Sequence, residues 1–174
     1  TETRSNILNE INSILINSPS NLYNSYVEHT ENLYSTSSYE TNLNEIESSS
    51  KTIIAFDQIS HESLLRKIYS WNPLINFITD VIQIYPSCDD LGALYINIYR
   101  QSNKLSWHTD HSHFFVNLIL QQASMSNEAD GLELFNGRTY SHRVAEIRLS
   151  KLPRINAILT YDCHPDHRLS DYVL

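Results

Sequence analysis

Through the first eighty residues the apolar positions recur at helical spacing. In residues 2–17, Ile7, Leu8, Ile11, Ile14 and Leu15 fall at i, i+1, i+4, i+7 and i+8, one face of an amphipathic helix. Ser18-Pro19-Ser20 ends it, because proline cannot continue the hydrogen-bond ladder and disfavours helix in the residue before it. A second helix is predicted over residues 20–34. Residues 35–50 are polar and weakly periodic, and read as a loop or as a helix dominated by its polar face. Ser60 is placed to cap a helix with Leu64, Leu65 and Ile68 as its stripe, although Ser63 stands where a capping box would have Glu. Trp71-Asn72-Pro73 reads as a break, followed by another helix from Leu74 to Ile84. From Leu91 the period drops to two. Leu94, Ile96 and Ile98 alternate with Tyr95, Asn97 and Tyr99, which predicts a strand but does not say which face is inward. Residues 101–104 read as a turn. A strand opening at Ser106 is expected to run on through Phe114, Val116, Leu118 and Leu120. Residues 121–130 are loop-like, order resumes at Gly131, and residues 153–161 form a last strand. That strand sets Arg154, Asn156, Ile158 and Thr160 on one face and Ile155, Ala157, Leu159 and Tyr161 on the other.

Helices first and strands second predict one α+β domain over residues 1–174, mainly helical to residue 84 and sheet-based from 85. At 174 residues, 41% of them hydrophobic, the chain can bury a core. Its net charge of −8 argues against a nucleic-acid partner, which needs a basic face. The two cysteines, Cys88 and Cys163, form neither a disulfide framework nor a paired zinc motif. With no long apolar run and no apolar leader, the expectation is a soluble cytoplasmic protein without a membrane partner. The oligomeric state is unreadable, and a homodimer is compatible with the sequence.

The chemistry concentrates in residues 105–121, LSWHTDHSHFFVNLILQ. His108 and Asp110 are two apart, so on a strand they project from one face. A nitrogen and a hard oxygen side by side suit Fe(II), and one later His would complete a facial triad that leaves coordination positions open. His142 is the best-placed third ligand. His164 and His167 offer a rival assignment. Arg154 carries the planar, permanently charged group that pairs a buried carboxylate. Asn156 and Thr160 share its face and are expected to line the same pocket. Asp89 and Asp90, ahead of the first strand, are candidates to pair a cationic substrate, and also ordinary turn residues. His111 could touch substrate, whereas His113 reads as a polar neighbour. Arg138 and Arg143 could pair a substrate carboxylate. Trp107 is expected to point away from His108 into the core.

In order, His108-Thr109-Asp110, then residues 134–138 leading to His142-Arg143-Val144, then Pro153-Arg154-Ile155-Asn156-Ala157, resemble an Fe(II)/2-oxoglutarate-dependent dioxygenase. Within that superfamily, residues 89–121 resemble the bacterial enzymes that hydroxylate or halogenate free amino acids, the lysine halogenase group and its hydroxylase relatives. The similarity covers roughly residues 84–165. It implies a double-stranded β-helix, or jelly roll, with an N-terminal helical layer. It also implies iron on His108, Asp110 and His142, 2-oxoglutarate with its distal carboxylate on Arg154, and O2 as co-substrate. The reaction implied is hydroxylation of an unactivated C–H in a free basic amino acid (lysine, arginine or ornithine), with release of succinate and CO2. Halogenases of the superfamily carry Gly or Ala where Asp110 stands, so its carboxylate favours hydroxylation. Two other readings are a zinc-type hydrolase built on the HTDHSH run and a jelly-roll binding module without turnover. The hydrolase lacks the HxHxDH spacing and leaves Arg154 without a role. His142 follows Asp110 by only 32 positions, few for a jelly roll. Residues missing between about 122 and 131 are favoured over a reduced fold.

Overall fold

The computed structural model describes residues 1–18, 22–29, 47–82, 85–86, 93–110, 114–123, 132–136 and 139–162. Helix α1 (Glu2–Asn17) forms where the apolar stripe predicts it, with the Thr1 hydroxyl accepting from the Arg4 amide as cap. Strands follow: β1 (Tyr23–His29) and β2 (Glu47–Ile54). A single 3-10 turn (Phe56–Gln58) leads to the short helices α2 (Leu64–Tyr69) and α3 (Asn72–Ile82). The rest is sheet: β3 (Tyr85–Pro86), β4 (Leu94–Tyr99), β5 (Lys104–His108), β6 (Phe114–Gln121), β7 (Leu132–Phe135), β8 (His142–Val144) and β9 (Arg154–Asp162).

Several expectations change. The helix expected at 20–34 is strand β1 over Tyr23–His29, paired antiparallel with β2 along its length. The Ser-rich end of the 35–50 stretch is the start of β2. Its backbone groups are paired with β1 on one edge and with β4 and β5 on the other, so pairing overrides weak intrinsic preference. The cap of α2 is Ser63, whose hydroxyl accepts from the Leu65 amide. Ser60 instead accepts from Glu62 one turn earlier. Helix α3 starts at Asn72, two residues before the expected Leu74. Proline is tolerated there because a first-turn amide has no intrahelical partner. The strand expected from Ser106 onward is two strands, β5 and β6. Residues 124–131 lie outside the described residues, and with them most of the stretch where chain was expected to be missing.

The described strands join in one antiparallel sheet of order β7-β6-β9-β4-β2-β5-β8, with β1 on β2 and β3 on β9, and the sheet curls into a half-barrel. One face is dry. Ile54, Leu94, Ile96, Ile98, Val116 and Leu159 meet Ile7 and Ile11 of α1, Leu65 of α2, and Leu74 and Ile78 of α3. Arg4 ties α1 to the end of β6 through a 2.6 Å bond from Nε to the Leu120 carbonyl. Ile96 is fully buried here. Ile96→Ala is expected to lower unfolding free energy by ~2–5 kcal/mol, read by urea denaturation. A loss under ~0.5 kcal/mol, the size of an ordinary surface change, would contradict this packing.

The other face is the concave one. Strands β4 and β5 lie end to end beside β2: Ile98 pairs Thr52, and after a short excursion Lys104 pairs Ser50. The excursion is closed by the Asn103 amide on the Arg100 carbonyl and by the Asn103 side chain accepting from the Arg100 amide. Ser102 takes the left-handed conformation within it, φ 67°. Beyond the excursion the neighbour on the far side changes from β9 to β8. This change of partner brings β8 over the concave face. Among the described residues no helix is long and apolar enough to cross a membrane.

Candidate metal centre

Strands β5 and β8 pair with one residue too many on β5. Leu105 faces Val144, yet His108, not Trp107, faces His142. A bulge of this kind re-aims a side chain. Without it, His142 would stand opposite Trp107. With it, the two imidazoles are cross-strand neighbours, their ring centroids 4.1 Å apart, and Trp107 is turned outward. Trp107 therefore does point away from His108, but it does not enter the core. It is 49% exposed and carries the Arg143 guanidinium 4.9 Å from its ring centre.

Asp110 lies just past the end of β5. Its Oδ2 is 3.2 Å from His142 Nε2 and its Oδ1 3.6 Å from His108 Nε2. Each imidazole is tethered from behind. His108 Nδ1 lies 2.9 Å from the Ser106 carbonyl, and His142 Nδ1 3.2 Å from the Tyr140 carbonyl. A carbonyl only accepts, so both Nδ1 atoms carry the proton and both Nε2 atoms turn toward Asp110. A backbone carbonyl behind each ring is the outer arrangement usual for metal-binding histidines. His108, Asp110 and His142 can offer one ligand atom each, all within 4.8 Å of one another. The donor set fits a divalent ion. With bonds of roughly 2.1 Å, neighbouring ligand atoms sit about 3.0 Å apart in an octahedron and about 3.4 Å in a tetrahedron.

Burial works against a charge on Asp110, but hydrogen bonds from His108 and His142, and then their charges, outweigh it. The carboxyl is held far below its ordinary range. Burial likewise opposes an imidazolium at His142, and the hydrogen bond and charge of Asp110 overcome it, raising its pKa above 6.5. In the metal-free protein the His142 contribution to stability is present below its unfolded pKa and lost as pH rises through its raised folded value. The Asp110 contribution is present above its unfolded value near 3.8 and lost as pH falls through its depressed one. Metal needs the neutral imidazole. The rise in melting temperature on adding a divalent ion should therefore grow from pH 5.5 to pH 8, measured against a chelator control. A rise that is flat over this range would contradict ligation by His142.

The cavity around the triad has a volume of about 270 Å³. Its floor is the concave face of three adjacent strands: Tyr95, Asn97 and Tyr99 of β4, Arg154, Asn156 and Ile158 of β9, and Phe115, Asn117 and Ile119 of β6. The question of which β4 face turns inward is thus resolved. Arg154 is 6% exposed. It donates to Asn156 Oδ1 at 3.2 Å and stands 5.7 Å from the Tyr99 ring centre, while Asn156 donates to Asn117 Oδ1 at 2.8 Å. Thr160 is on the face of Arg154 but beyond the cavity, its hydroxyl donating to the Ala93 carbonyl at 3.0 Å. Asp89, Asp90, His111, His113, Arg138, His164 and His167 lie outside the described residues.

Lys51 of β2 also lines the cavity, and sequence reasoning missed it because it lies within a strand whose first half was read as the end of a polar stretch. Asn117 was missed for a similar reason: one polar residue in an apolar run, whose meaning depends on which face is concave. No family model matches the chain, and a search of curated proteins gives no match.

Proposed function

We propose that this protein is an Fe(II)- and 2-oxoglutarate-dependent dioxygenase with a jelly-roll core, hydroxylating a C–H of a free basic amino acid. The observation that carries the reading is the pair of back-tethered imidazoles aimed at one carboxylate, in a cavity that also holds a buried arginine. A two-His, one-carboxylate set leaves coordination positions for a co-substrate and oxygen. When bound, iron would let O2 act as the oxidant with 2-oxoglutarate as the two-electron reductant: one oxygen atom would go to succinate, released with CO2, and the other to the substrate C–H.

The chain's own residues do the positioning. His108, Asp110 and His142 hold the ion, and the retained carboxylate of Asp110 favours hydroxylation over halogenation. Arg154 takes the distal carboxylate of 2-oxoglutarate, where its fork makes two parallel bonds. Asn156 and Asn117 keep that guanidinium oriented. Phe115, Ile119 and Ile158 contribute apolar surface that limits water near the reacting C–H. An acidic partner for a basic substrate side chain would come from Asp89 or Asp90.

The test is a screen of the twenty amino acids for succinate formation with Fe(II) and 2-oxoglutarate, lysine, arginine and ornithine first, and mass spectrometry for a product heavier by one oxygen. Succinate tied to one amino acid supports the reading. Succinate independent of every amino acid, or none at all, contradicts it.

A further inference from the structure

Lys51 and Asn97 both line the cavity and are not used by the reading above. Lys51 is half-buried, and burial is the main pull that lowers the pKa of its ammonium. Among the described residues no ion pair engages it. The nearby carboxylate that acts on it is Asp110, which is already turned to two imidazoles. The second group is Asn97, 4% exposed, whose Oδ1 has no hydrogen-bond partner. A buried acceptor left without a partner is destabilising, so a ligand that donates to it gains from binding there.

Register relates the two. Ile53 pairs Asn97, and Lys51 is two residues along β2 from Ile53, on the same face. Lys51 and Asn97 are therefore diagonal neighbours across adjacent strands, roughly 7–8 Å apart at their backbones. Continuing the register sets Lys51 beside Tyr99, whose other neighbour is Arg154. The two inward cations thus flank Tyr99, about 10 Å apart at their backbones, two strand spacings. Arg143, the other cation at the rim, lies over Trp107. Among the described residues the cavity sets two inward cations against one committed carboxylate, which suits ligands that bring two acidic groups between them.

We propose that Lys51 and Asn97 form the subsite for the head group of the substrate amino acid: the α-carboxylate accepts from the Lys51 ammonium and the α-ammonium donates to Asn97 Oδ1. This rests on the amino-acid reading above and adds to it that the α-carbon's substituents, not the side chain, are fixed by β2 and β4. Arg154 is left to the co-substrate, so each of the two cations serves one of the two organic molecules.

The test follows the side chain itself. The chain has four lysines, Lys51, Lys67, Lys104 and Lys151. With lysine-labelled protein and diamagnetic Zn(II) added, each gives one side-chain NMR signal, and Lys51 is assigned by its loss in Lys51→Gln. Burial pulls the Lys51 pKa down to about 8, against the opposing pull of Asp110. Adding the amino acid found in the screen should shift that signal and raise its titration midpoint. Cadaverine, which lacks the carboxylate, should do neither. Lys51→Gln should raise the KM for the amino acid at least tenfold and leave that for 2-oxoglutarate within twofold. Asn97→Leu should raise the amino-acid KM several-fold. A Lys51 signal moved by 2-oxoglutarate and not by the amino acid, or moved equally by cadaverine, overturns the assignment. Succinate formation with an unmoved Lys51 signal removes the head-group subsite alone. If no amino acid moves Lys51 and none supports turnover, both readings fall.

Discussion

His142→Ala is expected to weaken divalent-metal binding by well over 100-fold. Loss of a partner behind a ligand already costs roughly 10–100-fold. His142 would be a ligand itself, its Nε2 3.2 Å from Asp110, so the loss should exceed that range. The remaining His108 and Asp110 would still offer a weak two-point site. Competition against a chelating dye measures the change. The fold should survive, because His142 begins a three-residue strand away from the helix-packed core, and circular dichroism checks this. Unchanged affinity in a folded variant would remove His142 from the ligand set.

Arg154→Met is expected to weaken 2-oxoglutarate binding by ~2–5 kcal/mol, about 30-fold to several-thousandfold. The cost is large because the guanidinium is buried and pre-oriented by Asn156, so a bound carboxylate meets a fixed partner with little water to share the charge. Metal affinity should not change, since Arg154 is not a ligand. Arg154→Lys should recover only part of the loss, because an ammonium cannot reproduce the two-point fork. The measurement is calorimetric titration of 2-oxoglutarate into Mn(II)-loaded protein. An Arg154→Met variant that binds it as well as the parent would assign the arginine to structure alone.

What the sequence disclosed depended on whether the deciding interaction was local. The α1 stripe is local, and α1 forms where it was expected. The alternation of Leu94 to Tyr99 and of residues 154–161 is also local, and both are strands. Strand β1 lies where a helix was expected, because only pairing with a strand 18 to 30 residues further along the chain reveals it. Strand β2 hides for the same reason, since three serines say little until both edges are occupied. The triad residues were legible because imidazole and carboxylate are chemically distinctive in any context. The bulge that brings His108 opposite His142 was not, because it exists only in the register between β5 and β8. Lys51 and Asn117 needed knowledge of which face is concave, a property of the curled sheet as a whole.

The central claim is that His108, Asp110 and His142 hold one iron that 2-oxoglutarate then chelates. The direct measurement is the visible absorption of anaerobic protein as Fe(II) and then 2-oxoglutarate are added. The account predicts a weak metal-to-ligand charge-transfer band that needs both additions, saturates at one Fe(II) per chain and is absent in His142→Ala. No band at saturating Fe(II) and 2-oxoglutarate, or one that persists undiminished in His142→Ala, would contradict it.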